Sequence, residues 1–376
     1  MLNTNAYLTA LKNTGVTFFT GVPDSLLKEI CSCITANVEP ESHIIASNEG
    51  AAVGLSIGHY VGTSKLPLVY FQNSGLGNII NPLLSLASPE VYGIPILLMI
   101  GWRGEPGHND EPQHIHQGRA MFSMLDAMDI PFVILSQKFN EASEQTKLAA
   151  QKARDTQGPV AIIVRKNTFS EYKDSSNNNT LNYPMSREEA IVNAAGNLED
   201  DAAIICTTGM ASRELFELRA RTIRGHDSDF LTVGGMGHAN QIALGLAIAR
   251  PDRSVCCFDG DGAILMHMGS LAINGQSKCS NFLHLVFNNG VHGSVGGQPT
   301  VGFSIDIPAI AKACGYTNAK CVKTPEDLKF EMSNAKSKHG PTLIEVRVRP
   351  GNRSDIGRPT TTPLENKIAL MNFLKG

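Results

Sequence analysis

The sequence predicts an α/β fold in two domains, each a mainly parallel sheet flanked by helices, with no domain between them. Three observations predict it. Short apolar runs bounded by Gly, Pro or Asn alternate with longer helical stretches, the pattern of parallel strands joined by crossover helices. A length of 376 residues exceeds what one core comfortably fills and suits two domains. Finally, Gly158-Pro159-Val160-Ala161-Ile162-Ile163-Val164-Arg165 is echoed half a chain later by Gly340-Pro341-Thr342-Leu343-Ile344-Glu345-Val346-Arg347, each time after a helical segment.

Taken in order, the first-half strands are His43 to Ala46, Pro67 to Phe71, Pro95 to Ile100, Pro131 to Leu135 and Pro159 to Val164. Residues 168–185 contain Ser175-Ser176-Asn177-Asn178-Asn179 and no apolar periodicity, so they read as a linker. Ser186 and Glu189 form a capping box ahead of Ala190, Ile191 and Ala194, which opens the second domain with a helix. Its strands are Ala202 to Cys206, Phe230 to Val233, Ser254 to Phe258, Phe282 to Phe287 and Thr342 to Val348. The domains are therefore 1–167 and 186–376, with five strands each.

Composition narrows the function. Charged residues are 18% of the chain against about 25% in an ordinary soluble domain, which predicts extra buried surface between subunits. A net charge of −3 without a Lys/Arg run argues against a nucleic-acid partner. No stretch approaches the ~20 apolar residues of a membrane span, and Met1 to Phe19 lacks the layout of a secretory signal, so a soluble cytoplasmic protein is expected. Eight cysteines without a C-x-x-C pair read as small buried hydrophobes, not as a zinc site or disulfide framework.

Glycine is in modest excess, and its clusters follow strands. Phe258-Asp259-Gly260-Asp261-Gly262-Ala263 closes one apolar run, and Asn288-Asn289-Gly290 closes the next, roughly 25 residues later, so both fall at the carboxyl edge where open parallel sheets bind ligands. Either segment alone reads as a turn. Together they offer a carboxylate, an amide oxygen and nearby carbonyls, the hard donors Mg²⁺ prefers, beside glycines that admit phosphate oxygens to backbone N–H groups.

This G-D-G followed by N-N resembles the signature of thiamine-diphosphate-dependent enzymes. In that superfamily a pyrimidine-binding domain and a diphosphate-binding domain arose by duplication, and the two halves take those roles. The resemblance implies thiamine diphosphate and Mg²⁺ as cofactors, with Asp261, the Asn289 side chain and the Val291 carbonyl on the metal and Gly262 and Ala263 at the diphosphate. It implies further cofactor contacts from Gly75 and Asn78 in Asn73-Ser74-Gly75-Leu76-Gly77-Asn78, from Thr208, and from Gly235 and Met236, the last as the wedge that bends the cofactor. Glu49, in Ala46-Ser47-Asn48-Glu49-Gly50-Ala51-Ala52 after a strand, is implied as the glutamate that hydrogen-bonds the aminopyrimidine. Its residue-level alternative is a first-turn helix carboxylate favoured by the macrodipole.

Larger decarboxylases of the superfamily carry a middle domain that this chain lacks. The short form, with Gly21-Val22-Pro23-Asp24-Ser25-Leu26, Gly101-Trp102-Arg103-Gly104-Glu105-Pro106-Gly107, His114-Ile115-His116 and Ser294-Val295-Gly296-Gly297-Gln298-Pro299-Thr300, is similar to the phosphonopyruvate decarboxylase family over essentially its whole length. Sulfopyruvate decarboxylases, often split into two subunits, are close relatives. The resemblance implies decarboxylation of 3-phosphonopyruvate to phosphonoacetaldehyde in phosphonate biosynthesis, by a homodimer or larger homo-oligomer whose active site lies between subunits. A dianionic 2-oxo acid needs cationic donors, for which Arg103, Arg353 and Arg358 are candidates, each otherwise a solvated surface arginine. His114, His116 and His292 are candidate proton carriers, and the larger enzymes' adjacent His-His pair is here interrupted by Ile115.

Two rivals remain at this point. Gly235-Met236-Gly237-His238-Ala239-Asn240 with Asp259 loosely follows a dinucleotide-binding layout, but Asn240 stands where a third small residue belongs and Glu49, Asp261 and Asn289 go unexplained. A non-catalytic thiamine-fold subunit is the other, opposed by retention of Glu49 beside both metal motifs.

Overall fold

A computed structural model describes residues 1–173, 182–222, 225–335 and 339–375. The chain divides into two compact units, Met1–Asn177 with Val295–Gln298 and Asn178–Ser294 with Pro299–Gly376. Each holds a six-stranded, wholly parallel sheet flanked by helices, as the alternating pattern predicts.

The first sheet contains β1 (Val16–Gly21), β2 (His43–Ile45), β3 (Leu66–Gln72), β4 (Ile96–Gly101), β5 (Phe132–Ile134) and β6 (Pro159–Val164), in the order β2-β1-β3-β4-β6-β5. The second contains β7 (Ala203–Cys206), β8 (Asp229–Leu231), β9 (Val255–Gly260), β10 (Phe282–Asn288), β11 (Asn318–Val322) and β12 (Thr342–Arg347), in the order β11-β12-β10-β9-β7-β8. The two orders correspond position by position, with the echoed Gly-Pro segments forming β6 and β12.

Five strands per half was thus one short. β1 was missed because only Thr14 and Gly15 separate Val16 from the preceding helix, with no cluster of turn residues to mark it. β11 is absent from the apolar pattern because it is an edge strand with only Ala319 and Val322 buried, which leaves it without an apolar run. Central strands show why the others were legible: β4 and β6 are buried at every position, since helices cover both faces of a parallel sheet.

Local signals hold where they were specific. Ser186 caps the helix Arg187–Gly196 with the full reciprocal box, its Oγ accepting the Glu189 N–H at 3.2 Å while the Glu189 carboxylate accepts the Ser186 N–H at 2.7 Å. Residues 168–173, expected as linker, belong partly to the first unit's packing: Leu2 N–H donates to the Thr168 carbonyl at 2.7 Å, and Phe169 packs on Tyr7. Met185 is buried in the second unit's core. The Ser175 to Asn179 stretch lies outside the described residues.

Inside the second unit two arginine–carboxylate pairs are buried and bidentate, Arg219 on Asp229 and Arg187 on Glu214, an arrangement whose rupture leaves an uncompensated charge. All eight cysteines are free; Cys31, Cys33, Cys206, Cys256 and Cys257 are buried among apolar side chains, as expected of small hydrophobes, whereas Cys279 and Cys314 are half-buried and Cys321, on the edge strand β11, is exposed. Among the described residues no helix is long and apolar enough to cross a membrane.

Candidate active site

In the first unit the carboxyl edge of the sheet gathers the chemistry. Glu49 opens the helix Glu49–Thr63, whose N-cap Asn48 accepts the Ala51 N–H at 2.9 Å. That cap directs Glu49 inward, where it is 5% exposed. Its Oε2 accepts a hydrogen bond from Asn78 Nδ2 at 2.7 Å. A Cβ at Gly75 would overlap the Glu49 carboxylate, so only glycine leaves room for it. Glu49, Gly75 and Asn78, separately expected at the cofactor, thus form one cradle within this unit.

Asn73 ties that cradle to the next loop. Its Oδ1 accepts the Arg103 N–H at 3.1 Å and its Nδ2 donates to the Arg103 carbonyl at 2.8 Å. The Arg103 guanidinium is engaged by its own unit: Nε donates to Asp110 Oδ2 at 2.8 Å, Nη2 donates to Asp110 Oδ1, and Nη1 donates to Ser25 Oγ at 2.7 Å. The bidentate face expected to clamp a substrate oxyanion is therefore occupied by Asp110. Asp110 Oδ1 also lies 2.9 Å from His114 Nδ1. Hydrogen bonds from Arg103, His114 and Gly104 N–H outweigh burial and hold the Asp110 carboxyl well below its usual range.

His114 and His116 do not act as a pair. Both lie in the helix Pro112–Ala127, where positions two apart face different sides; His114 is buried and His116 exposed. Burial lowers the His114 pKa, with Arg103 acting in the same direction and Asp110 opposing it. Asp24, quoted in a motif but given no role, is buried beside this cluster with its pKa raised by desolvation, and accepts from Gln72 Nε2 at 2.5 Å. Asp24 and Asp110 carried no distinctive sequence signal beyond being carboxylates near strand ends.

In the second unit β9 and β10 are hydrogen-bonded neighbours, and their carboxyl ends bring Asp261 and Asn289 together as the spacing predicts. The Asn289 N–H approaches Asp261 Oδ1 at 3.4 Å, and Thr300 Oγ1 donates to Asp261 Oδ2. Asn289 Oδ1 accepts the Val291 N–H at 3.2 Å. The first asparagine of the motif is structural: Asn288 donates to the Gly302 carbonyl at 2.7 Å and to Glu345 at 2.8 Å. Gly262 lies against His292, and Met236 Cε comes within 3.4 Å of where a Cβ on Gly262 would stand, so those three residues converge. Ala263 is buried next to Gly262, Gly235 supplies a positive φ of 64° ahead of Met236, and Thr208 is half-buried in the loop after β7. Burial lowers the His292 pKa to about 4.

A divalent cation fits this donor set. Asp261 is 2% exposed, and burial pushes its carboxyl up to about 6, against hydrogen bonds from Thr300 and the Asn289 N–H. Among the described residues no Lys, Arg or His pairs with it. A buried carboxylate beside an amide oxygen and backbone carbonyls is the chemistry of a hard-cation site. Cys257, Asp259 and His284 also place ligand atoms within 4.8 Å of one another. Burial keeps that thiol protonated, and Asp259 and His284 are satisfied by each other, Asn240 and Tyr316.

Two expected residues lie elsewhere in the second unit. Arg353 donates to Glu188 at 2.8 Å, Glu217 at 2.5 Å and Asp355 at 3.0 Å, so its guanidinium fastens the C-terminal segment and presents no unoccupied bidentate face. Arg358 is exposed.

Residues 3–130 match the N-terminal TPP-binding domain of thiamine pyrophosphate enzymes, and residues 207–346 match the C-terminal TPP-binding domain. With these domains and the relatives below, the chain is a thiamine-diphosphate-dependent carboxy-lyase acting on a pyruvate-like 2-oxo acid. It is 34% identical to a phosphonopyruvate decarboxylase of Streptomyces viridochromogenes, over 97% of this chain and 93% of that one, and 32% identical to another from Streptomyces hygroscopicus, over 97% and 92%. A sulfopyruvate decarboxylase of Methanosarcina acetivorans is 27% identical over 91% of this chain and 90% of its own. The chain belongs to the phosphonopyruvate decarboxylase family. The dinucleotide-binding alternative falls with these matches, since residues 235–240 lie inside a thiamine pyrophosphate domain.

Two outcomes follow from this geometry. Gly75→Ala should displace the Glu49 carboxylate and reduce kcat by about 10²-fold, the usual cost of an ångström-scale misplacement, with circular dichroism unchanged. The raised Asp261 pKa stabilises the cation-free fold only while protonated: the contribution is complete below the unfolded value of about 3.9 and is lost as pH rises through about 6. Melting curves of the cation-free protein should therefore show Asp261→Asn more stable than the parent above that pH, and Mg²⁺ stabilising the parent more at about pH 7.5 than at about pH 5.

Proposed function

We propose that the protein decarboxylates 3-phosphonopyruvate to phosphonoacetaldehyde and CO₂, with thiamine diphosphate and Mg²⁺, as a step of phosphonate biosynthesis in the cytoplasm. The observation that carries the chemistry is the buried Glu49 carboxylate, held by Asn78 and admitted only by Gly75. The substrate assignment is supported by full-length similarity to the two Streptomyces phosphonopyruvate decarboxylases.

Bound thiamine diphosphate supplies the nucleophilic carbon and the electron sink for loss of CO₂. Asp261, Asn289 and the Val291 carbonyl would hold the Mg²⁺, which would offset the charge of the diphosphate, while Gly262 and Ala263 would offer backbone N–H groups to phosphate oxygens. Met236, preceded by Gly235 and beside Gly262, shapes the cofactor, with Thr208 a further contact. Glu49 holds a proton at N1′ of the aminopyrimidine. His114 carries the proton delivered after CO₂ leaves; burial and the Asp110 contact distinguish it from exposed His116 and from His292, where no carboxylate opposes the lowering of the pKa by burial. Of the arginines, Arg358 is a candidate for the phosphonate as an exposed residue of the C-terminal segment, and Arg103 contributes whatever donors Asp110 and Ser25 leave over.

The active enzyme is proposed to be a homodimer or larger homo-oligomer, with the site completed between subunits. Apolar surface on both units supports this. Val61 on the helix Glu49–Thr63 is 71% exposed, and Ile248 on the helix Ala239–Ala249 is 61% exposed, in a chain already low in charge.

Sulfopyruvate is the second reading, supported by the relative from Methanosarcina acetivorans. Purified protein supplied with thiamine diphosphate and Mg²⁺ and offered phosphonopyruvate, sulfopyruvate and pyruvate separates the two. CO₂ release should be at least about tenfold more efficient from phosphonopyruvate, a difference of roughly 1.4 kcal/mol in transition-state binding. Preference for sulfopyruvate or pyruvate overturns the substrate assignment.

A further inference from the structure

The carboxylate of Asp110 is crowded with donors. Oδ2 accepts from Arg103 Nε and from Gly104 N–H, both at 2.8 Å. Oδ1 accepts from Arg103 Nη2 and from Glu111 N–H, and faces His114 Nδ1 at 2.9 Å. An ionised carboxylate can only accept, so the imidazole must donate through Nδ1, and a neutral His114 keeps its free lone pair on Nε2. The loop bearing Asp110 has little freedom: Trp102 Nε1 donates to the Gly118 carbonyl at 3.1 Å, and a Cβ on Gly104 or Gly118 would overlap backbone of the opposing segment.

We propose that Asp110 is a positioning residue for proton transfer: by accepting the Nδ1–H of His114 it fixes the tautomer and orientation of the ring, and Arg103 locks the carboxylate in place. The inference rests on His114 being the proton carrier. It gives Arg103 a task within the first unit, holding the dyad, and Asn73 links that dyad to the segment that cradles Glu49. The charged groups facing His114 are Asp110, Arg103 and Asp24.

The direct test is the ¹⁵N spectrum of histidine-labelled holoprotein, loaded with thiamine diphosphate and Mg²⁺. Neutral His114 should carry its proton on Nδ1; a proton on Nε2 in the unmodified protein overturns the proposal, whatever any variant does. In Asp110→Asn a single amide oxygen faces both Arg103 and the imidazole, and the amide NH₂ turns toward one of them. The Nε2–H tautomer should then appear, and kcat should fall about 10²- to 10⁴-fold with KM changed less than about threefold. The limb of the pH profile owed to His114 should move to lower pH, because the carboxylate that opposes the lowering of its pKa is gone. Introduced into His114→Ala, Asp110→Asn should cost nothing further, since it acts through the ring. Independent, additive losses overturn the positioning role while leaving His114 as proton carrier; full turnover by His114→Ala overturns the reading of His114 itself and the inference with it.

Discussion

A parallel sheet covered by helices on both faces leaves one place for chemistry. Its central strands are buried along their length, so the side chains and close-approach glycines of a site gather in the loops at the carboxyl edge. Each unit obeys this constraint. Glu49 follows β2, Asn73 to Asn78 follow β3, Arg103 to His114 follow β4, Asp261 follows β9 and Asn289 follows β10. The two sheets share one strand order, so each unit offers its residues from corresponding strand ends. The Glu49 carboxylate held by Asn78 and the Asp261 carboxylate beside Asn289 are then two uses of one architecture.

The same edge shows how burial sets the state of a carboxylate by its company. Asp110 meets a guanidinium and three further N–H donors, and stays ionised far into acid. Asp261, more deeply buried, meets a hydroxyl and backbone N–H groups but, among the described residues, no cationic side chain, and is pushed upward instead. Asp24 is raised as well, although Gln72 and the Arg103 charge oppose the effect. The first environment is complete in itself; the second holds no cationic side chain among the described residues.

Legibility followed the range of the forces. Glycine and asparagine clusters at strand ends are local, and they pointed to Asp261 and Asn289, whereas Glu49 stood out only through the resemblance to thiamine-diphosphate-dependent enzymes. Central strands such as β4 and β6 were legible because two-sided burial demands unbroken apolar runs. β11 was not, because this edge strand buries only Ala319 and Val322, and β1 was not, because only Thr14 and Gly15 separate it from the preceding helix. Partnership between distant side chains was the least visible. Arg103 reads as a free cation until the loop brings Asp110 back onto it, and Arg353 does so until Glu188 and Glu217 arrive from far up the chain. Helical phase separates the two nearby histidines, with His114 turned inward and His116 outward.

The account's central claim is that the Glu49 carboxylate drives the chemistry of a thiamine-diphosphate-dependent decarboxylase. Its most direct test is Glu49→Gln, an isostere that keeps the cradle of Gly75 and Asn78 filled. Cofactor binding by titration calorimetry and CO₂ release from phosphonopyruvate would be measured on the same preparation. The expected result is thiamine diphosphate and Mg²⁺ still bound, with turnover reduced by at least about 10²-fold. Undiminished turnover with cofactor bound would contradict the account.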